Sequence, residues 1–430
     1  MPELENYIEL LFDKLWPLCR SITGEGLRNS FKILKEIIPL ELTEVPTGTK
    51  VFDWEIPEEW IIEDAYIITP NGEKICDFKK NNLHVVNYSS PIDDTIEYHE
   101  LVNNLHYLSN QPDAIPYITS YYSRNWGFCL SKNNFDRLSK KGKYRVVINS
   151  KFKNGSLTYG DLVLPGMTSK EILFTSYLCH PSMANNELSG PLCLAFLYQK
   201  IKSLNSRKYT YRFVIAPETI GTIAYLSNNG DHLKEHLLGG FVLTCCGDKG
   251  NFTYKMSKNE TSIIDRTVRH VLKFENIPNR IIPFEVGGSD ERQYCSPGFN
   301  FSVGSLMRTP YQKYREYHTS KDNKSFISFK SMKETICLYF KIVEALELNE
   351  IYVNSYPFCE PNLGKRNLYP NMIKSDDSKE ELHNLLHLIS FCDGESDLLS
   401  IAEKKEKSIF DFRSIVNKLQ NNKIIKSNDL

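Results

Sequence analysis

Four side chains that could hold a metal or move a proton stand at the exits of short apolar runs or in loops. His180 follows EILFTSYL (171–178), in CHPSMANNELSG. Glu218 follows YRFVIA (211–216), in APETIG, and Asp248 ends the segment GFVLTCCGD. His318 lies in EYHTSKD, downstream of the loop GGSDERQYCSPG. Imidazole nitrogens and carboxylate oxygens are a donor set that suits Zn2+. A glutamate that does not reach the metal can take a proton from its bound water. Each residue also has an ordinary explanation. A histidine after a strand is often a hydrogen-bonded loop residue, and Asp248 beside Gly247 could be turn chemistry.

The elements around these residues give their positions a meaning. YRVVIN (144–149), LTYGDLVL (157–164), EILFTSYL, YRFVIA and GFVLTCC (240–246) read as strands. They alternate with helical patterns near 189–203, 219–229, 260–274 and 328–347. Interleaved strands and amphipathic helices predict an α/β fold, a mostly parallel mixed sheet with helices on both faces. In such sheets ligands gather at the carboxyl ends of the strands, where the four side chains lie. Two helices are expected before this region, over 3–19 and Leu27–Ile38. Between them and the α/β region, VFDWEIP, AYIIT and LHVVNY, with the turn Pro70–Asn71–Gly72, predict a small β-rich insert. After a Pro- and Asn-containing loop at 352–378, the segments Leu382–Ser390, Asp397–Glu406 and Phe410–Asn421 and a short strand at 423–425 fit a winged helix, with Asp397 and Ser408 as N-caps. The expected division is 1–44 with 111–351 for the α/β domain, 45–110 for the insert, and 352–430 for the linker and winged helix-turn-helix.

Composition narrows the function classes. At 430 residues the chain needs roughly two to three folded units. Its 52 basic and 53 acidic residues leave a net charge of −1, so no global field favours nucleic acid or an anionic membrane. No run approaches the ~20 apolar residues of a spanning helix, and the acidic start MPELENYIELLF is unlike a secretory signal. The 11 cysteines form no CxxC pair, which predicts reduced thiols and a cytoplasmic location. In 382–430 seven basic residues are offset by seven acids. DNA is therefore not the expected partner of the winged helix, since a DNA reader carries a basic surplus. A protein contact or a second copy of the chain is the expected use.

The order His, N-x-SG-like element, Pro-Glu, Asp after a strand, S-D and Y-H-T resembles the zinc exopeptidase superfamily of leucyl aminopeptidase. CHPSMANNELSGP, APETIGTIAYLS, GSDERQYCSPGFN, EYHTS, CRSITGEG and VFDWEIPEEW resemble a narrower bacterial aminopeptidase-like group. That group carries an inserted β-rich domain and a C-terminal winged helix, and is linked with polysaccharide biosynthesis. The resemblance implies a zinc-dependent hydrolase acting on a peptide or small amide, with Glu218 as general base. A catalytically degenerate scaffold or binding module of the same fold is the alternative.

Several positions depart from the superfamily pattern. The Asp that bridges two zincs is replaced by Asn186, followed by Glu187, and the second of two consecutive Glu is replaced by Thr219. Ser182 stands where an Asp orients the first His. A neutral amide bridges two dications poorly, so one zinc is expected instead of two. Its expected ligands are His180, Asp248 and His318, with Asn186 or Glu187 as a further contact. Arg292 and Gln293 could hold a substrate carboxylate or terminus, and Tyr317 could stabilise an oxyanion. The aromatic stretch PYITSYYSRNWGF (116–128) reads first as packing between insert and α/β domain, with a pocket wall as the alternative. His84, His106, His383 and His387 read as structural.

Overall fold

EILFTSY and TYRFVIA lack polar–apolar alternation, as strands covered on both faces require, and every residue of both is buried. They lie at the centre of an eight-stranded mixed sheet in the computed structural model, which describes residues 2–369 and 376–428. Residues 370–375, within the loop expected at 352–378, lie outside that description. In chain order the strands are β1 (Glu41–Pro46), β2 (Ser156–Leu164), β3 (Glu171–Tyr177), β4 (Thr210–Ala216), β5 (Leu237–Val242), β6 (Phe252–Lys255), β7 (Asn279–Ile282) and β8 (Val303–Met307). Their spatial order is β1-β2-β4-β3-β5-β8-β6-β7. The pairs β3–β4, β3–β5, β5–β8 and β6–β7 are parallel, while β1–β2, β2–β4 and β6–β8 are antiparallel. Register decides the site. Tyr177 at the end of β3 pairs with Ala216 at the end of β4, so His180 and Glu218 leave the sheet side by side.

Helices α1 (Ser189–Lys202) and α2 (Ile220–His236) follow β3 and β4. α1 is buried from Ser189 to Tyr198. A Cβ on Gly190 would come 2.3 Å from the Leu243 carbonyl oxygen and 2.5 Å from Ser176 Oγ. Glycine is therefore what lets this helix seat against the ends of β3 and β5. Cys246 N–H donates to Ser189 Oγ at 2.9 Å, which accounts for the serine of the same pair.

The strand candidate at 144–149 does not join the central sheet. Residues Lys143–Lys153 pair antiparallel with Glu59–Ile68 and Ile92–Glu97 in a separate four-stranded sheet. The β-rich region thus borrows a strand from beyond residue 110. One continuous hydrophobic cluster contains Trp60, Ile67 and Val146 of that sheet together with Leu173, Val214 and Val242 of the central one. Shared burial of this kind holds an inserted segment against its host far better than a linker does.

The chain divides into two compact units, Met1–Ile264 with Asn279–Cys337, and Asp265–Pro278 with Leu338–Leu430. In the second unit, Ile351–Asn354 pairs antiparallel with Asp393–Asp397 and Ile425–Ser427. Helices span Asp376–Phe391, Leu398–Lys404 and Arg413–Asn421. Asp397 caps the middle helix by accepting from Ser400 N–H, and Ser408 forms a capping box with Asp411. His387 Nε2 meets the Ile401 carbonyl oxygen at 3.0 Å, a packing role.

Both carboxylate oxygens of Asp397 accept from Arg266, each at 3.0 Å. Burial alone would raise this acid's pKa, but Arg266, Ser400 and Asn349 hold it down at about 2. A depressed acid stabilises the fold above its unfolded pKa, and the contribution fades as pH falls toward the folded value. Asp397→Asn is expected to cost about 2 kcal/mol near neutrality. In denaturant titrations at several pH values, that difference should shrink between about pH 4 and pH 2.

Candidate active site

His180 and Glu218 open into a cleft of about 480 Å³ that is also lined by Thr219, Arg292 and His318. Trp54, Tyr117, Tyr121 and Tyr122 supply aromatic wall. The stretch 116–128 therefore walls a pocket, the alternative use expected for it, and Trp54 brings the insert to the cleft. Tyr117 reaches both histidines, with ring centroids 4.9 Å from His180 and 5.2 Å from His318.

His180 is oriented from behind. A π-helical turn, Ala184–Leu188, leads into α1 and carries Glu187 back to the end of β3. One Glu187 oxygen accepts from the backbone N–H groups of Cys179 and His180, and the other lies 2.9 Å from His180 Nδ1. Fully buried Arg20 stands 3.8 Å from the same carboxylate and donates through Nε to the His180 carbonyl oxygen at 3.1 Å. With Nδ1 committed to Glu187, Nε2 is the free nitrogen, 3.7 Å from Glu218 Oε2. Metal-binding histidines receive this kind of support. The expectation that Ser182 leaves the first histidine without an orienting acid needs amending, because Glu187 occupies that place.

Burial works against a charge on His180, but Tyr117, Cys179 and Glu187 beside it outweigh that, and its pKa lies well above the usual histidine value. Burial pushes Cys179 up to about 11 and Tyr117 higher still. Burial also pushes Glu218 up to about 7, partly opposed by His180 and reinforced by Asp290. His318 falls to about 3 through burial and the neighbouring His180.

His318 and Asn186 meet directly, Nε2 to Oδ1 at 3.1 Å. The Asn186 side-chain N–H group donates to Tyr177 O–H at 2.9 Å, fixing its oxygen toward His318. Asp322 holds the turn by accepting from the backbone N–H groups of Asn185 and Asn186 at 2.6 and 3.0 Å. Tyr317 does not line the cleft; it stacks on His318 at 3.9 Å with planes 10° apart. Gln293 does not line the cleft either.

Asp248 is placed differently from its expected role as a metal ligand. Its two oxygens accept from Asn185 Nδ2, the N–H groups of Gly250 and Thr309, and Thr309 Oγ1, at 2.6–3.0 Å. It does not line the cleft. Expecting it at the metal assumed that β5 delivers its first acid to the site. The strand instead ends at Val242, and Asp248 ties two loops together.

Two arrangements could be considered for a cation. Donor atoms of Cys179, His180 and Glu187 lie within 4.8 Å of one another. There, however, Glu187 already accepts three N–H groups, and the Arg20 guanidinium opposes a dication. On the cleft side His180 and His318 are lining residues, and Asn186, which does not itself line the cleft, is in reach of His318. His318 Nε2 and Asn186 Oδ1 are 3.1 Å apart, against about 3.4 Å for two ligands on a tetrahedral zinc. The His180 and His318 ring centroids lie 5.3 Å apart, against about 5.2 Å for two such imidazoles. Two imidazole nitrogens and an amide oxygen, with Glu218 at hand, are a donor set for a single ion, which would displace the His180 Nε2 proton on binding.

Backbone strain concentrates here. Thr219, immediately after Glu218, has φ 64° and ψ −79°, and Ser182, Cys245 and His318 also have positive φ. A β-branched residue in that region is costly, and such outliers cluster at functional sites. Thr219 is held by its N–H donating to Asp290 at 2.8 Å and by Arg292 Nη2 donating to its hydroxyl at 3.1 Å. The sequence does not single out Arg20, Trp54 and Asp290 as site residues; their only signal is that they lie in the motif segments CRSITGEG, VFDWEIPEEW and GSDERQYCSPGFN, while Tyr117 belongs to the aromatic stretch 116–128.

The fold is that of zinc aminopeptidases. A zinc aminopeptidase from Bacillus subtilis superposes with a TM-score of 0.59 at 13% identity, covering 80% of this chain and 94% of that one. By sequence, the chain belongs to the family described as a domain of unknown function, DUF4910, which matches residues 9–349, and a winged helix-turn-helix family matches residues 350–427. A Clostridium acetobutylicum relative is 44% identical over 425 residues, 96% of each chain. It is provisionally named as a polysaccharide biosynthesis protein with an aminopeptidase-like domain. A crystal structure of a candidate peptidase from that organism has a TM-score of 0.92 at 42% identity, covering 99% of this chain and 97% of that one. Among the described residues, no helix is long and apolar enough to cross a membrane.

Proposed function

We propose that the protein is a hydrolase that cleaves an amide bond in a peptide or small conjugate, with Glu218 as general base and one zinc held by His180 Nε2, His318 Nε2 and Asn186 Oδ1. The observation that carries the reading is the pairing of His180 Nε2 with Glu218 at 3.7 Å in a cleft that also holds His318. Zinc, when bound there, supplies Lewis acidity that makes water a nucleophile near neutral pH and polarises the scissile carbonyl. Glu218 takes the proton that the attacking water gives up and returns it to the departing amine. Its raised pKa suits both halves of that exchange. Glu187 and Arg20 keep the His180 ring in place, so Nε2 need not reorganise during the reaction. The aromatic wall limits water and offers apolar surface to the acyl group. A role in polysaccharide biosynthesis, by analogy with the named relative, belongs to this reading as context.

Metal analysis of the purified chain tests the site. One zinc per chain is expected, lost in His318→Ala and retained in Asp248→Asn, although the latter lowers stability. Loss of zinc in Asp248→Asn with retention in His318→Ala would overturn the ligand set. A protein that takes up no zinc and releases no amine from a panel of amides would leave a binding module in place of the hydrolase.

A further inference from the structure

The charges of the cleft indicate which end of an amide substrate it holds. An aminopeptidase must bind the free ammonium of its substrate and needs a carboxylate to do so. Among the described residues Glu218 is the only carboxylate lining the cleft, and it is used as the base. Asp290, nearby, spends its oxygens on the Thr219 N–H and the Thr222 hydroxyl, both at 2.8 Å. Arg292 is in the opposite condition. Its one hydrogen bond among the described residues goes from Nη2 to the neutral Thr219 hydroxyl at 3.1 Å, and Nε has no acceptor. A guanidinium presents five donors shaped for a carboxylate, and here it lines the cleft within electrostatic reach of Glu218 and Asp290 but in salt-bridge contact with none of the described carboxylates.

We infer that the substrate is an amide whose leaving amine carries a free carboxylate, an N-acyl amino acid or the C-terminal residue of a short peptide, and that Arg292 binds that carboxylate. The inference rests on the hydrolase reading above. In the reaction, the water oxygen ends on the acyl carbon, the C–N bond breaks, and the amino acid leaves with the proton returned by Glu218. Arg292 thereby sets specificity and Glu218 carries the proton.

The test uses the zinc-loaded full chain with a panel of N-acetylated L-amino acids, their carboxamides, and L-leucine p-nitroanilide, followed by both calorimetric binding and turnover. Each acid is expected to bind at least tenfold more tightly than its carboxamide, with the difference in KM and not in kcat. Arg292→Gln should erase that ratio, and Arg292→Lys should restore only part of it. Equal binding of acid and carboxamide by the unmodified chain overturns the inference without any variant having to fold. Faster turnover of L-leucine p-nitroanilide than of every acid also overturns it, while leaving the hydrolase intact. Arg292-dependent binding of the acids with no turnover of any amide supports the carboxylate site and removes the hydrolase.

Discussion

Glu218→Gln should lower the turnover of any amide substrate by about 10³-fold while zinc content stays at its unmodified level. Glutamine has nearly the shape of glutamate but cannot accept a proton, so the substitution isolates proton transfer from metal binding. Glu218 is suited to the task by its surroundings. It leaves β4 into a half-buried position where desolvation lifts its pKa to about 7, and His180 restrains a larger rise. Thr219 fixes the backbone beside it in a strained conformation, held through Asp290 and Arg292. Single-turnover assays with parallel zinc measurement check the result. Unchanged turnover would take Glu218 out of the base role, and loss of zinc together with turnover would make it a ligand instead.

Glu187→Leu is expected to be the most damaging change to folding. Arg20 and Glu187 are both fully buried, so removing the acid leaves a guanidinium in the interior with only the carbonyl oxygens of Leu15 and His180. Breaking a buried pair in this way costs roughly 3–5 kcal/mol. The paired change Arg20→Met with Glu187→Leu should recover much of that, because replacing both charges by apolar groups removes the penalty. Function should not recover with it. Without Glu187 the His180 Nδ1 proton keeps only the weak acceptor Cys179 Sγ at 3.3 Å, and zinc affinity should fall by about 10- to 100-fold in the stable double variant. Chemical denaturation separates the first effect, and chelator competition the second. A double variant with normal zinc affinity would show that Glu187 serves stability alone.

Much of the architecture is written in local pattern. Runs such as EILFTSY and TYRFVIA are apolar without alternation, and only strands covered on both faces or buried helices tolerate that. The N-caps Asp397 and Ser408 were legible because capping needs one residue type at one place. That His180 and Glu218 would meet in one cleft was legible as well, since strand ends in α/β sheets converge by topology, while His318 stood out only by its motif EYHTSKD. What misled was the path of the loop, which spacing does not reveal. Asp248, six residues beyond Val242, is spent on Thr309 and Asn185, whereas His318, eleven residues beyond Met307, returns to the cleft. The strand candidate at 144–149 pairs in a separate sheet, as a strand's composition does not name its partner.

By itself, then, the chain of residues determined which segments become strands and helices, and which imidazoles and carboxylates wait at their ends. The folded molecule decided which of those groups meet. Glu187 became the support of His180 because a π turn swings it back onto the strand end, and Arg20 became its counter-ion from 167 positions away. Such pairings depend on register and on the packing of distant segments. Each is set by the energy of burying the whole interface, and so leaves no mark in the spacing of the residues that finally touch.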